Sequence, residues 1–500
     1  MFPKPRQDLV PNTAEFERLP FVKATGFREY DARWRYPEEI NLIGLEAVGL
    51  GLATLMRARG VPVRIVVGHD YRSYSAAVKA ALTTGLLAGG AEVHDIGLAL
   101  SPMAYFAQFA LEVEGVAMVT ASHNDNGWTG IKMGIERPLT FAPEDMTALK
   151  EIVLNADFAP QQAAGRYVFV PDMPERYMAD LMARPKLLRP LKVVVSCGNG
   201  TAGAFAPRVL AELGATVVPL NCDLDYSFPA HNPNPEDLGM LNATRDAVLA
   251  HKAVLGLAFD GDGDRCGVVD NEGEMIFADK VGVMLARDIA ARNPGALFVA
   301  DVKSTGLFLT DPVLKEHGAK TLYWKTGHSY IKRYSHETGA LVGFEKSGHF
   351  FFNPPLGRGY DDGLVAGLAV LDMLDRNPEK SLAELKRELP QTWQSPTMSP
   401  HCDDELKYAV VDRVVEHFKK VAANGGKLAG QKIRELITVN GIRIVLDDGT
   451  WGLVRASSNK PELVVVVESP TSDANMRAIF AEIDAELAKQ PEVGEYNQKI

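Results

Sequence analysis

Through most of the chain, short apolar runs rich in β-branched residues alternate with stretches whose apolar positions recur every three or four residues. The first pattern predicts buried strands and the second helices, so their alternation predicts α/β domains with largely parallel sheets. A first block opens with a strand over 64–68. It continues with a helix over 75–87, a strand over 92–95, a helix over 102–111 and a strand over 116–120, and ends, after a polar segment (122–134), in a helix over 143–154. A second block runs from a strand at 192–196 through a glycine-containing turn and a helix to a strand at 216–219. A helix over 241–251 and a strand over 254–259 complete it. A third includes strands at 297–301 and 341–344. The last hundred residues change character: a helix over 405–422, then antiparallel strands at 441–446, 452–456 and 462–468. Met476, Ile479, Phe480, Ile483 and Leu487 form one stripe of a closing helix. The segments 171–185 and 388–400, rich in proline and polar residues, read as linkers.

At 500 residues the chain exceeds what one hydrophobic core supports, so several domains are expected. The 46% hydrophobic and 23% charged content excludes fibrous and wholly disordered classes. A formal charge of −11 removes any general attraction to nucleic acid or acidic membranes, so an anionic ligand needs local cations. No apolar run approaches the length of a membrane span, and the first 21 residues lack the apolar core of a secretory signal. Cys197, Cys222, Cys266 and Cys402 lie far apart, without metal-finger spacing. Reduced thiols, a cytoplasmic location, and neither nucleic-acid nor membrane partners are expected.

Four loops carry candidate chemistry, each placed after an apolar strand, where open α/β sheets bind ligands. In Asp260-Gly261-Asp262-Gly263-Asp264-Arg265, three carboxylates on alternate residues converge hard oxygen ligands on one small cation. An EF-hand loop would need Gly at its sixth position and Glu at its twelfth, where Arg265 and Asn271 stand. Thr120-Ala121-Ser122-His123-Asn124 puts a serine at a strand end, with Lys132 in a glycine-rich turn ten residues on. The flanking Thr120 and Asn124 deny it the glycines of a hydrolase elbow. Arg455-Ala456-Ser457-Ser458-Asn459-Lys460-Pro461 gathers cations, hydroxyls and an amide suited to phosphate. Gly343-Phe344-Glu345-Lys346-Ser347-Gly348-His349 offers mixed donors and acceptors suited to sugar hydroxyls. Lys303 and His328 are further single candidates.

Together these motifs resemble the α-D-phosphohexomutase superfamily, most closely its bacterial phosphomannomutase/phosphoglucomutase branch. FREYDAR (27–33) and HNPNPE (231–236) also look like family segments. The resemblance implies three similar α/β domains with mixed, mostly parallel sheets and a smaller α+β C-terminal domain, around a central cleft. The expected boundaries are 1–172, 173–275, 276–392 and 393–500. It implies a phosphohexomutase interconverting hexose 1-phosphate and hexose 6-phosphate, of mannose, glucose or both, via a phosphoserine and a bound hexose 1,6-bisphosphate. The cofactors implied are one Mg²⁺ per active site, a covalent phosphate on Ser122, and the bisphosphate as intermediate or activator. Ser122, Asp260, Asp262 and Asp264 would bind the metal. Ser122, His123, Lys132, Arg33, Arg265 and His349 would form the catalytic set, with Lys132 and His349 as proton-transfer groups. Tyr30, Lys303, His328, Glu345, Ser347 and His349 would bind substrate, while Arg455, Ser457, Ser458 and Asn459 would anchor the phosphate that is not reacting. Small hexose phosphates are the expected partners, and the chain is expected to be a monomer or weak homo-oligomer.

Turning a bound bisphosphate over without releasing it asks for a mobile last domain, hinged near 388–400. Two other classes use the same residues. A Mg²⁺-dependent sugar-phosphate phosphatase would let water finish the reaction, and a Ca²⁺- or sugar-binding protein would need no reactive serine.

Overall fold

The computed structural model describes residues 2–160, 164–458 and 460–500. The chain divides into two compact units: Met1–Ala278 with Ser347–Ala383, and Asp279–Lys346 with Glu384–Ile500.

The first unit contains two α/β domains. In the first, parallel strands run side by side in the order Gly115–Val119, Arg64–His69, Glu92–Leu98 and Arg166–Phe169. Two antiparallel strands, Trp128–Gly134 and then Ala32–Arg35, extend the sheet beyond Gly115–Val119. The helix Leu42–Ala58 starts where the Asn41 side chain accepts the Gly44 N–H. It packs Leu45, Val48 and Leu52 into a core shared with Leu82, Leu86 and Val67. Each such side chain, fully buried, contributes about 2 kcal/mol.

Lys132 was expected in a turn and instead lies within the strand Trp128–Gly134, opposite Met118. The glycines at 127, 130 and 134 obscured that strand in the sequence. The segment expected to be a linker near 171–185 holds the helix Met173–Met182, whose Met173, Tyr177, Met178 and Leu181 are buried at helical spacing.

In the second domain, Thr216–Leu220, Lys192–Ser196 and Leu255–Phe259 are parallel neighbours in that order. Leu255–Phe259 then doubles back antiparallel onto Cys266–Asp270, so the sequence DGDGDR is the turn of a buried hairpin. Gly263 takes φ +73°, the left-handed region that the turn requires and glycine tolerates.

In the second unit, Lys320–Trp324, Leu297–Asp301 and Val342–Phe344 form a parallel set. The C-terminal domain is an antiparallel sheet in the order Trp393–Gln394, Leu463–Ser469, Trp451–Ala456, Ile442–Leu446, Gln431–Ile437 and Lys427–Leu428. The helices Lys407–Ala423 and Asp473–Leu487 contribute Val410, Val414, Ile479 and Ile483 to its core. The stretch read as a linker at 388–400 runs along this sheet as its edge: Ser395 N–H donates to Val467 O (2.9 Å) and Met398 N–H to Val465 O (3.0 Å). Arg443 is buried between the rings of Trp451 (3.7 Å) and Tyr323 (4.3 Å) and donates to Val302 O (2.8 Å) and Ser304 O (2.7 Å). The architecture is three α/β domains with mixed, mostly parallel sheets and an antiparallel C-terminal domain. Among the described residues, no helix is long and apolar enough to cross a membrane.

Candidate active site

Ser122 leaves the end of the strand Gly115–Val119 through a tight turn in which its own φ is +50°. Several polar groups hold that unusual backbone. Ser122 N–H donates to Thr120 Oγ1 (2.8 Å), whose hydroxyl donates to Asp70 Oδ2 (2.8 Å). Arg72, paired with Asp70, donates to the carbonyls of Ser122 (3.1 Å) and Asn124 (2.6 Å). Asn232 donates to His123 O. From the edge strand Ala32–Arg35, Arg33 reaches Asn124 Oδ1 (3.5 Å) while paired with Asp31 (2.8 Å).

The hairpin turn meets this loop. Ser122 Oγ donates to Asp260 Oδ2 (2.9 Å) and lies 3.2 Å from His123 Nδ1. Gly261 allows the approach, since a Cβ there would stand 2.5 Å from Ser122 O. Asp260 Oδ1 accepts the N–H groups of Asp264 (3.1 Å) and Arg265 (3.2 Å), closing the turn on its own carboxylate. Arg265 Nε donates to Asp260 Oδ2 (3.0 Å), and Arg265 Nη1 lies 3.6 Å from Glu236. Asp262 Oδ2 accepts from Ser101 Oγ (2.6 Å) and Lys132 Nζ (2.7 Å), and Lys132 also pairs with Asp264 Oδ2. His349, bridged through its backbone to Arg265, sets Nδ1 3.0 Å from Asp361 and 3.7 Å from Asp264.

The electrostatics follow from packing three carboxylates in a dry turn. Burial, with the neighbouring acids, pushes Asp260 and Asp264 up to about 7. Burial works against ionisation at Asp262 too, but the charge and hydrogen bond of Lys132 and the Ser101 hydroxyl outweigh it and hold Asp262 below the ordinary range. Lys132 resists burial through Asp262 and Asp264, which hold it protonated well above the usual lysine range.

Carboxylate oxygens of Asp260, Asp262 and Asp264 lie within 4.8 Å of one another. Asp262 Oδ1 and Asp264 Oδ1 are buried and accept no hydrogen bond among the described residues, and Arg265 Nη2 is buried without an acceptor. Uncompensated carboxylate oxygens are costly in a protein interior. The donor set, hard and anionic, fits a divalent cation with an anionic group beside it.

Of the sequence candidates, Ser122, His123, Lys132, Arg33, Arg265, His349 and the three aspartates come together within the first unit. Tyr30 is buried (3% exposed) and Ser347 half-buried in the same unit. Lys303, His328, Glu345, Arg455, Ser457 and Ser458 belong to the second unit and are all buried. There Glu345 Oε1 accepts the Gly327 N–H (2.5 Å) at the start of the helix His328–Thr338. Arg455 lies near the end of the strand Trp451–Ala456, donating Nη1 to Ala456 O (2.7 Å), while its buried Nε has no acceptor among the described residues. Ser457 N–H donates to Glu462 O (3.0 Å), and Ser457 Oγ accepts the Lys460 N–H (3.3 Å). Asn459 lies outside the described residues. Asp70, Arg72, Ser101 and Asp361 were not singled out in the sequence; only the sharp turn His69-Asp70-Tyr71-Arg72 after an apolar strand hinted at the first two.

Family descriptions match in chain order: phosphoglucomutase/phosphomannomutase alpha/beta/alpha domain I over residues 24–160, domain II over 175–273, domain III over 277–393, and the C-terminal domain over 405–486. A phosphomannomutase/phosphoglucomutase of Pseudomonas aeruginosa is 34% identical over 456 residues, 91% of this chain and 94% of that one. A phosphoglucomutase of Neisseria meningitidis is 35% identical over 448 residues, 90% and 94% of the two chains. The crystal structure of a phosphoglucomutase/phosphomannomutase family protein from Burkholderia thailandensis superposes with a TM-score of 0.83 at 31% identity, covering 95% of this chain and 99% of that one. Four domain matches in order and relatives aligned over nine-tenths of the chain lead to one conclusion: the chain belongs to the phosphoglucomutase/phosphomannomutase family of phosphohexomutases.

Proposed function

We propose that the enzyme interconverts hexose 1-phosphate and hexose 6-phosphate, of mannose, glucose or both, through a phosphoserine at position 122. The observation that carries this reading is the 2.9 Å approach of Ser122 Oγ to Asp260, across 138 residues of sequence, beside two carboxylate oxygens left without donors. Mg²⁺ bound by Asp260, Asp262 and Asp264, with an oxygen of phospho-Ser122, would neutralise phosphate charge and polarise the oxygens being exchanged.

The chain's own residues do the rest. Arg265 offers its buried Nη2 to the phosphate on Ser122. The phosphoryl group passes to the 6-hydroxyl of a hexose 1-phosphate, so the O6–P bond forms as the Oγ–P bond breaks. One proton leaves O6 and one reaches Oγ. Lys132 and His349 are suited to that exchange, the first held protonated by two acids and the second oriented by Asp361. The bound hexose 1,6-bisphosphate then reorients and returns its other phosphate to Ser122. Arg33 and Tyr30 line the reacting end, and Glu345, Ser347, Lys303 and His328 hold the sugar. Arg455, Ser457, Ser458 and Asn459 anchor the phosphate that is not reacting, and their general phosphate donors suit either end of the substrate.

We further take the enzyme as cytoplasmic and monomeric or weakly associated; its four free cysteines support the first. Coupled assays with mannose 1-phosphate and glucose 1-phosphate test the reaction, with turnover to the 6-phosphates expected. Sustained release of inorganic phosphate in place of 6-phosphate would assign a phosphatase instead.

A further inference from the structure

Cys197 and Cys222 are 25 residues apart in sequence, yet their sulfurs stand 3.6 Å apart at the ends of the parallel strands Lys192–Ser196 and Thr216–Leu220. The two thiols differ in kind. Cys197 is fully buried, whereas Cys222 is half-buried. The contact with Cys197 lowers Cys222 from the ordinary range and, together with burial, raises Cys197, while the Cys222 thiol donates to Val195 O (3.2 Å). A partly exposed thiol beside a buried partner in near-contact is the arrangement of an attacking and a resolving cysteine.

The pair also adjoins the candidate active site. Cys197 O accepts the Gly200 N–H (2.8 Å), and the next residue, Thr201, donates its N–H to Gly261 O (3.2 Å) inside the aspartate turn. Thr201 Oγ1 accepts the Tyr71 N–H (3.0 Å), between Asp70 and Arg72, which hold the serine loop. Closing the sulfur gap from 3.6 Å to a bond of about 2 Å draws on this short loop, whose Thr201 N–H is bonded to Gly261, the residue that packs against the Ser122 loop.

We propose that Cys197 and Cys222 form a reversible disulfide, driven by hydroperoxides, that lowers mutase turnover by displacing the loop 197–201 from the aspartate turn. The Cys222 thiolate attacks the peroxide: an S–O bond forms, the O–O bond breaks, and the departing oxygen leaves as water or an alcohol after protonation. The Cys197 sulfur then attacks the sulfenic sulfur; the S–S bond forms, the S–O bond breaks, and water leaves with the Cys197 proton. Two thiols are oxidised, and one peroxide is reduced.

The test uses the full-length enzyme treated with hydrogen peroxide, alkylated and digested without reductant. The expected result is a peptide linking Cys197 to Cys222, lighter by two hydrogens than the separate peptides, with turnover reduced several-fold and restored by dithiothreitol. Cys222→Ser should keep its basal turnover and resist the same treatment. Mass analysis reads the link whatever reaction the enzyme catalyses. Absence of the link, accumulation of Cys222 sulfinic acid, a link that leaves turnover unchanged, or equal peroxide sensitivity in Cys222→Ser would each overturn the proposal.

Discussion

Each unit buries a carboxylate–lysine network, and the two differ in completeness. In the second unit, Glu468 is saturated. Its Oε1 accepts from Lys280 Nζ (2.6 Å), Thr305 Oγ1 (2.7 Å) and Thr392 Oγ1 (2.7 Å), and its Oε2 from Gly306 N–H (2.7 Å) and Trp451 Nε1 (2.8 Å). Burial opposes its ionisation, but the Lys280 charge and these donors bring it down to about 2. In the first unit, Lys132 satisfies only one oxygen each of Asp262 and Asp264, and the other oxygen of each accepts no hydrogen bond among the described residues. Similar groups at similar depth thus serve different ends. A filled network fixes strands to one another, while an unfilled one leaves bonding capacity open to a ligand.

Perturbing the two networks should give opposite signatures. The largest effect is expected from Ser122→Ala, which should cut turnover by on the order of 10⁴-fold or more while leaving the melting temperature nearly unchanged. Intact-mass measurement should find a phosphate on the native enzyme that this variant lacks.

Glu468→Ala strands Lys280 and should lose about 3 to 5 kcal/mol of stability in denaturant titration. Because the Glu468 carboxyl is depressed to about 2 when folded, its stabilisation is complete above the unfolded value near 4.3 and disappears as pH falls toward 2. Glu468→Gln should flatten that acid limb of the stability profile.

Mg²⁺ should raise the melting temperature of the native chain, by the equivalent of about 2.7 kcal/mol at a hundredfold excess over the dissociation constant. Asp262→Asn should abolish the shift, whereas Glu468→Gln should retain it. The smallest effect is expected for Arg72→Lys. It keeps the charge but loses the fork that holds two carbonyls, and should lower kcat by about 10²-fold with little change in KM. A KM rise at constant kcat would instead assign Arg72 to substrate binding.

The aspartate turn was legible because its chemistry is local: three acids, two glycines and an arginine in six consecutive residues, directly after an apolar strand. Its supports were not. Ser101 acts 161 residues from Asp262, and Arg72 holds Ser122 from 50 residues away, each looking like an ordinary turn polar until the fold closes. The α/β alternation was equally plain, but the strand Trp128–Gly134 was hidden by the glycines that let it pair closely. Cys197 and Cys222 show the same limit: strand pairing brings them together, and nothing in their spacing announces it.

The left-handed backbone at residue 122 bears on which hydroxyl side chain can stand there. Threonine has the same hydroxyl, but branching at Cβ makes a positive φ a steric outlier, so a threonine would have to unwind the very turn that aims its oxygen at Asp260. Serine is the smallest hydroxyl-bearing side chain that this bend accommodates, and the conformation of the main chain thereby selects between two alcohols that chemistry alone treats almost alike.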